Sequence, residues 1–148
     1  VDTSPLSFHI DANGRINLFL VEDAMKYLMM IYCDDALLDA LPEGEFDTRM
    51  KGCFLKADGL RGEGRLHDSQ QLQAPDTART VRIRNDHVSM VDGPFAETKE
   101  YLGGFNVIEA ADMDEAVRIA SSFPWARTGS IEIRPLRDMA AVRQRVGA

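Results

Sequence analysis

The chain is short of cysteine, of long apolar runs and of positive charge, and each shortage removes a class of protein. Only two cysteines, Cys33 and Cys53, occur in 148 residues. They form neither a disulfide framework nor a zinc spacing. The core must therefore close by apolar burial, for which one domain of this length suffices. Without a framework, both cysteines are read as reduced thiols of a cytoplasmic protein, packed rather than reactive. No apolar run approaches the ~20 residues that span a bilayer, and no charged segment followed by an apolar one opens the chain. No membrane association and no secretory leader are expected. The net charge of −7 argues against a phosphate-backbone binder, so nucleic acid is not an expected partner. Catalytic triads, phosphate loops, zinc spacings and dinucleotide fingerprints are missing too, so neither a cofactor nor a metal centre is expected. A carboxylate-only cation site stays open, because hard cations need oxygen ligands at no fixed spacing.

What is present is organised around Asp92 to Glu109. Asp92-Gly-Pro94 is turn chemistry, and Gly103-Gly104 is a second flexible point before a short apolar strand, Phe105 to Ile108. Between them lie Glu97, Lys99 and Glu100, on a loop delivered by one strand and collected by another, where binding residues are commonly placed.

The remaining elements follow from periodicity. Lys26 to Cys33 is nearly continuous in apolar residues and predicts a central strand buried on both faces. Asp47 is the expected cap of a helix in which Phe46, Met50, Phe54, Ala57 and Leu60 form one apolar face. Gly62-Glu-Gly64 ends that helix, and Arg65 to Leu72 predicts a strand. Thr80 to Arg84 and His87 to Val91 alternate about Asn85-Asp86 and predict a hairpin. Asp112 is an expected N-cap with Glu115 three residues on. Met113, Ala116, Val117, Ala120 and Phe123 form the inner face of the next helix, and Pro124 stops it. Ser130 to Arg134 alternates as a last strand. Residues 137–148 are a helical or frayed tail.

Residues 1–24 stand apart. Asp11 to Arg15 is a turn signal, Ile16 to Val21 a short strand or a partner-binding segment, and Met25 looks like a chain start. The segment is expected to be an extension, either an appended strand or a stretch foreign to the native chain. The domain proper is then 25–136.

The order strand, helix, strand, inserted hairpin, strand, helix, strand predicts an α+β fold of split β-α-β plan, an antiparallel sheet with two helices on one face. Such a sheet leaves its other face bare, and a second copy of the chain is the expected cover. A homodimer follows.

Three stretches carry a resemblance: Asp92-Gly-Pro-Phe-Ala-Glu-Thr-Lys-Glu100 with Leu102-Gly-Gly-Phe105 and Ile108-Glu-Ala110; Met25-Lys-Tyr-Leu-Met-Met-Ile-Tyr32; and Gly129-Ser-Ile-Glu-Ile-Arg-Pro135. Together they resemble the DGPF-domain, or YCII-related, family across about residues 25 to 136. The resemblance implies a ferredoxin-like βαββαβ subunit forming a dimeric α+β barrel. It also implies small bacterial proteins mostly without an assigned reaction, some associated with sigma factors of the extracytoplasmic-function type. The family's enzyme candidates resemble one another in a His on the first helix, thought to pair with an Asp. Here that position falls at Cys53, and the helix has no His, so the dyad is not carried over.

The site candidates are each read two ways. Asp92 is either a carboxylate facing a cleft or the cap of its own turn. Glu97 and Lys99 are a ligand-binding pair or a solvated ion pair. Gly103 and Gly104 admit a ligand or merely the strand. Phe95 adds apolar contact at the same loop. Asp58 leans toward a helix–sheet cleft or lies on the surface. His67 is a lone general base or none, since Asp68 beside it points to the opposite face. Glu109 and Glu132, with Arg134 nearby, face one interior or form exterior salt bridges. The expected function is a small enzyme, with Asp92, Asp58 and His67 as catalytic candidates, or a small-molecule binder using Glu97, Lys99, Gly103, Gly104 and Phe95. The alternative is a regulatory module that docks another protein.

Overall fold

The computed structural model describes residues 6–10, 13–20 and 24–148. It is an α+β fold with antiparallel sheets and, among the described residues, four α-helices. The main sheet contains β3 (Met25–Asp34), β4 (Leu66–Gln71), β7 (Glu100–Ala110) and β8 (Gly129–Pro135), in the order β4-β7-β3-β8. Every neighbouring pair is antiparallel. Helix α1 (Asp35–Asp39) and helix α2 (Glu45–Gly62) join β3 to β4, and α3 (Met113–Ser121) joins β7 to β8. The β5 (Arg79–Arg84) and β6 (His87–Asp92) hairpin is inserted between β4 and β7, and α4 (Met139–Val146) follows β8. Strands β1 (Leu6–Ile10) and β2 (Ile16–Leu20) form a separate antiparallel pair. The strand expected at Ile16 to Val21 is thus found from Ile16 to Leu20. Asp11, Ala12 and Val21 lie outside the described residues.

Side chains on a strand alternate between faces, and register fixes which rows meet. Tyr27 opposes Ile108 and Met29 opposes Asn106 across β3 and β7, while Met29 opposes Ile133 across β3 and β8. This row is buried, with Met29, Ile108 and Ala110 at 0% exposure, and it packs with Ala57 and Leu60 of α2 and Ala116, Ile119 and Ala120 of α3. Full burial of a side chain such as Met29 or Ile108 stabilises by roughly 1.5–3 kcal/mol. The opposite row, Leu28, Met30 and Tyr32 with Phe105 and Val107, is half-buried. The expectation that β3 is buried on both faces is therefore corrected: α2 and α3 pack on one side, and the other row is only half-buried among the described residues.

Three local readings shift as well. Helix α2 starts at Glu45 from Gly44, which has φ +79°. Asp47 lies inside the first turn, where its charge complements the helix N-terminus. In α3, Asp112 caps Glu115 N–H at 2.8 Å as expected, but Ile119 belongs to the buried face, whereas Met113 and Val117 are 37% and 46% exposed. Strand β7 is eleven residues long rather than four, so it takes in both glycines. The hairpin turn is as expected, with Asn85 and Asp86 at φ 51° and 61°, the conformation a two-residue turn requires.

Candidate functional site

Between α2 and the helix-facing side of the sheet lies a cavity of about 390 Å³. Its roof is the apolar stripe of α2, Phe46, Met50, Cys53, Phe54 and Ala57, at spacings that keep one face of a helix in line. Its floor combines Ile31 and Cys33 of β3, Ser69, Gln70 and Gln71 of β4, and Tyr101, Gly103, Gly104 and Asn106 of β7. The core half of α2 packs with Leu66 and Ile108, whereas Phe46, Met50 and Phe54 border the cavity. Phe46 and Phe54 are accordingly 39% and 61% exposed. Trp125 closes one side, its ring centre 5.7 Å from that of Phe46 and its indole N–H donating to Cys53 Sγ at 3.3 Å.

Asn106 is the polar element of the interior. It shares a face with Gly104 and Ile108, lines the cavity and is 3% exposed. Its side-chain amide has no hydrogen-bond partner among the described residues. Asn106 borders the cavity, where water or a ligand can meet its amide.

Two titratable groups of the lining, Tyr101 and Cys33, are shifted toward their neutral forms. The Tyr101 hydroxyl donates to Asp35 Oδ1 at 2.5 Å. This bond, then burial, then the Asp35 charge push the phenol up to about 12. Burial, followed by the charges of Asp35 and Glu100, pushes the Cys33 thiol up, the reverse of what a nucleophilic thiolate needs. Among the described residues, no Asp, Glu, Lys, Arg or His lines the cavity. Among the described residues, no group of three or more His, Cys, Asp or Glu side chains is placed to hold a metal ion.

The residues singled out from the sequence are dispersed. Asp92 ends β6 with its side chain 88% exposed, and its partner is Arg79 at 3.4 Å. Gly93, at φ +101°, donates its N–H to the Ala78 carbonyl. Phe95 is 78% exposed, with the Arg82 guanidinium 5.1 Å from its ring centre. Glu97 is exposed on the loop. Lys99 pairs not with Glu97 but with Asp34 Oδ2 at 3.6 Å, and the same Asp34 caps α1 by accepting from Ala36 N–H. Asp58 faces outward beside Arg61. His67 Nε2 lies 2.7 Å from Glu109 Oε1, a pairing across 42 residues that sequence order does not show. Glu132 lies 3.9 Å from Arg134, and both are exposed.

Of all these, only Gly103 and Gly104 line the cavity. A Cβ on Gly104 would come within 2.8 Å of the Gln70 carbonyl oxygen, and one on Gly103 within 2.5 Å of Cys33 Sγ. Close strand and side-chain approach therefore accounts for the pair. Asn106, Tyr101 and Trp125 were missed. The available signal was Asn106 itself, a polar residue between Phe105 and Val107 in an otherwise apolar strand.

Comparison with known proteins gives two findings. The family model described as the YCII-related domain matches residues 25–140. An uncharacterised protein of Rhizobium meliloti (strain 1021) is 34% identical over 114 residues, which is 76% of this chain and 92% of that protein.

Proposed function

The chain belongs to the YCII-related domain family, and from that premise we propose that it is a small-molecule-binding protein whose ligand occupies the cavity under α2. The reading is carried by Asn106: a polar residue only 3% exposed that borders a space of ligand size. Ligand sites are mostly apolar concavities of ~300–1,000 Å³ with a few placed polar groups, and this cavity falls at the small end of that range. Binding is favoured over catalysis because Cys33 and Tyr101, two titratable groups of the lining, are both pushed toward their neutral forms.

The assembly proposed with it is a cytoplasmic homodimer of ferredoxin-like subunits closing a dimeric α+β barrel. The strand order β4-β7-β3-β8, with both crossing helices on one face, supports the subunit fold. The half-buried row of Leu28, Met30, Tyr32, Phe105 and Val107 supports the dimer, since that apolar surface is what a second copy would cover. No helix among the described residues is long and apolar enough to cross a membrane. A stable monomer in light scattering would remove the barrel.

A second reading, the regulatory module, is favoured by the hairpin. Val81, Ile83, Val88 and Met90 share one face of it, paired 81 to 90 and 83 to 88, and each is 59–69% exposed. The sigma factor implied by the resemblance is the protein partner to try there.

A thermal-shift screen of neutral, largely apolar compounds separates these readings, with Asn106→Leu and Asp92→Asn run in parallel. A ligand at ~100 times its dissociation constant stabilises by about 2.7 kcal/mol. The expected hit is lost in Asn106→Leu and kept in Asp92→Asn. A hit lost in Asp92→Asn and kept in Asn106→Leu would move the site to the loop.

A further inference from the structure

Resting on that reading of the cavity, we infer that its ligand is an uncharged aromatic compound bearing a hydroxyl or amide group: a ring against Phe46, Phe54 and Trp125, and a neutral donor–acceptor group at the Ser69–Asn106 pair. Register sets the pair. Ser69 of β4 lies opposite Asn106 of β7, and both line the cavity. Asn106 belongs to the buried row of β7, whereas Ser69 lies on the exposed edge strand. Gln71, two residues further along β4 and opposite Gly104, adds an amide to the same lining. Hydroxyl and primary amide groups both donate and accept, so a ligand group with the same two capacities matches them.

The rings account for the aromatic body. The apolar stripe of α2 is covered unevenly: Ala57 and Leu60 are each 7% exposed, but Phe46 and Phe54, which border the cavity, are 39% and 61% exposed. The stripe is core at one end and uncovered at the other. Trp125, tilted 41° to the Phe46 ring, supplies a third ring to the same space. Aromatic pairs gain beyond the area they bury, so rings left uncovered beside a cavity favour another ring. Gly103 and Gly104 line it with backbone alone, and a Cβ on either would collide with Cys33 Sγ or the Gln70 carbonyl. No side chain from these two positions competes for the space.

Ionic ligands are disfavoured. With no charged side chain in the lining among the described residues, an ion entering would shed water without a paired countercharge. Anions fare worse still, since burial and then the charges of Asp35 and Glu100 already push the Cys33 thiol up. The ring-lined wall and the Ser69–Asn106 pair are separate observations, and they describe the two parts of one molecule.

The test uses four probes of similar size at neutral pH, each below its solubility limit: 4-propylphenol, propylbenzene, 4-propylcyclohexanol and 4-propylbenzoate. Trp125 is the single tryptophan and lines the cavity, so its fluorescence reports occupancy, with melting temperature as a second readout. The phenol is expected to bind roughly three- to tenfold more tightly than propylbenzene and severalfold more tightly than the saturated alcohol. Its advantage over the benzoate should be at least about tenfold. In the double variant Ser69→Ala, Asn106→Leu, the advantage over propylbenzene should vanish while propylbenzene affinity holds. A phenol that binds no more tightly than any one of the other three would overturn the inference and leave the cavity reading standing. An unaltered Trp125 signal and melting temperature with all four probes would overturn both. Should the double variant fold poorly, Ser69→Ala alone, on the exposed edge strand, decides: an undiminished ratio of phenol to propylbenzene affinity sinks the inference.

Discussion

The indole N–H of Trp125 donates to the sulfur of Cys53 at 3.3 Å, joining the turn before β8 to the middle of α2. Cys53 is the position at which the family resemblance places a histidine, and here it serves as cavity wall. Trp125 is 9% exposed, so its N–H depends on that sulfur. Cys53→Ala should cost about 1–3 kcal/mol, because it leaves a nearly buried donor unpaired beside a small void. Cys53→Ser, which keeps an acceptor, should cost about half as much or less. Urea unfolding followed by Trp125 fluorescence measures both, and equal losses for Ala and Ser would show that packing rather than the hydrogen bond matters.

Gly129 and Gly104 predict a graded pair of effects. A Cβ on Gly129 would overlap the Tyr32 carbonyl, within the β3–β8 ladder, where backbone cannot move aside. A Cβ on Gly104 would lie 2.8 Å from the Gln70 carbonyl oxygen in the β4–β7 ladder, nearer the sheet edge. Gly104→Ala is expected to cost about 1–3 kcal/mol, and Gly129→Ala to cost more, to the point of low soluble yield. Melting temperatures of the two variants check the order, and a reversal would contradict it.

Much of the fold was legible because it rests on local patterns. Alternation located β5 and β6, and Asp112 with Glu115 located the start of α3. The extent of β7 was not legible: glycines at 103 and 104 read as a break, and only the neighbouring Gln70 carbonyl and Cys33 sulfur show why they lie in a strand. The cavity was still less so. It lies where Phe46, Met50 and Phe54, a legible helix stripe, face a part of the sheet that includes Ser69, Gly103 and Gly104, and that match depends on tertiary register. The same limit hid the pairings of His67 with Glu109 and Tyr101 with Asp35, which lie 42 and 66 residues apart.

Tyr101 predicts a stability change in alkali. Its phenol is raised to about 12 by the bond to Asp35, against about 10 in an unfolded chain. The unfolded state therefore loses its proton first, and stability falls as pH rises from about 10 through 12, being fully present below 10. Tyr101→Phe should flatten that part of the stability–pH curve, and Asp35→Asn should bring the Tyr101 transition back toward 10. Ultraviolet titration of tyrosinate, wild type minus Tyr101→Phe, isolates it from Tyr27 and Tyr32. An unchanged difference spectrum in Asp35→Asn would refute the assignment.

Arg65 provides the sharpest test of the packing between α2, β4 and α3. Its side chain is 5% exposed, it pairs with Glu115 of α3, and it lies 3.9 Å from Glu63. Burial lowers its pKa, opposed by the charges of Glu63 and Glu109. Removing one partner of a buried pair costs ~3–5 kcal/mol because the other charge stays behind. Glu115→Gln should come at or below the low end, about 2–3 kcal/mol, since Glu63 and Glu109 still face the guanidinium. Arg65→Met leaves carboxylates that are partly exposed and can take up water, so it should cost less than Glu115→Gln despite removing more atoms. The double variant Arg65→Met, Glu115→Met removes both charges and should recover most of the loss, as apolar replacements of buried pairs often do. A double-mutant cycle by chemical denaturation gives the coupling, and losses that simply add would show the two residues to be energetically independent.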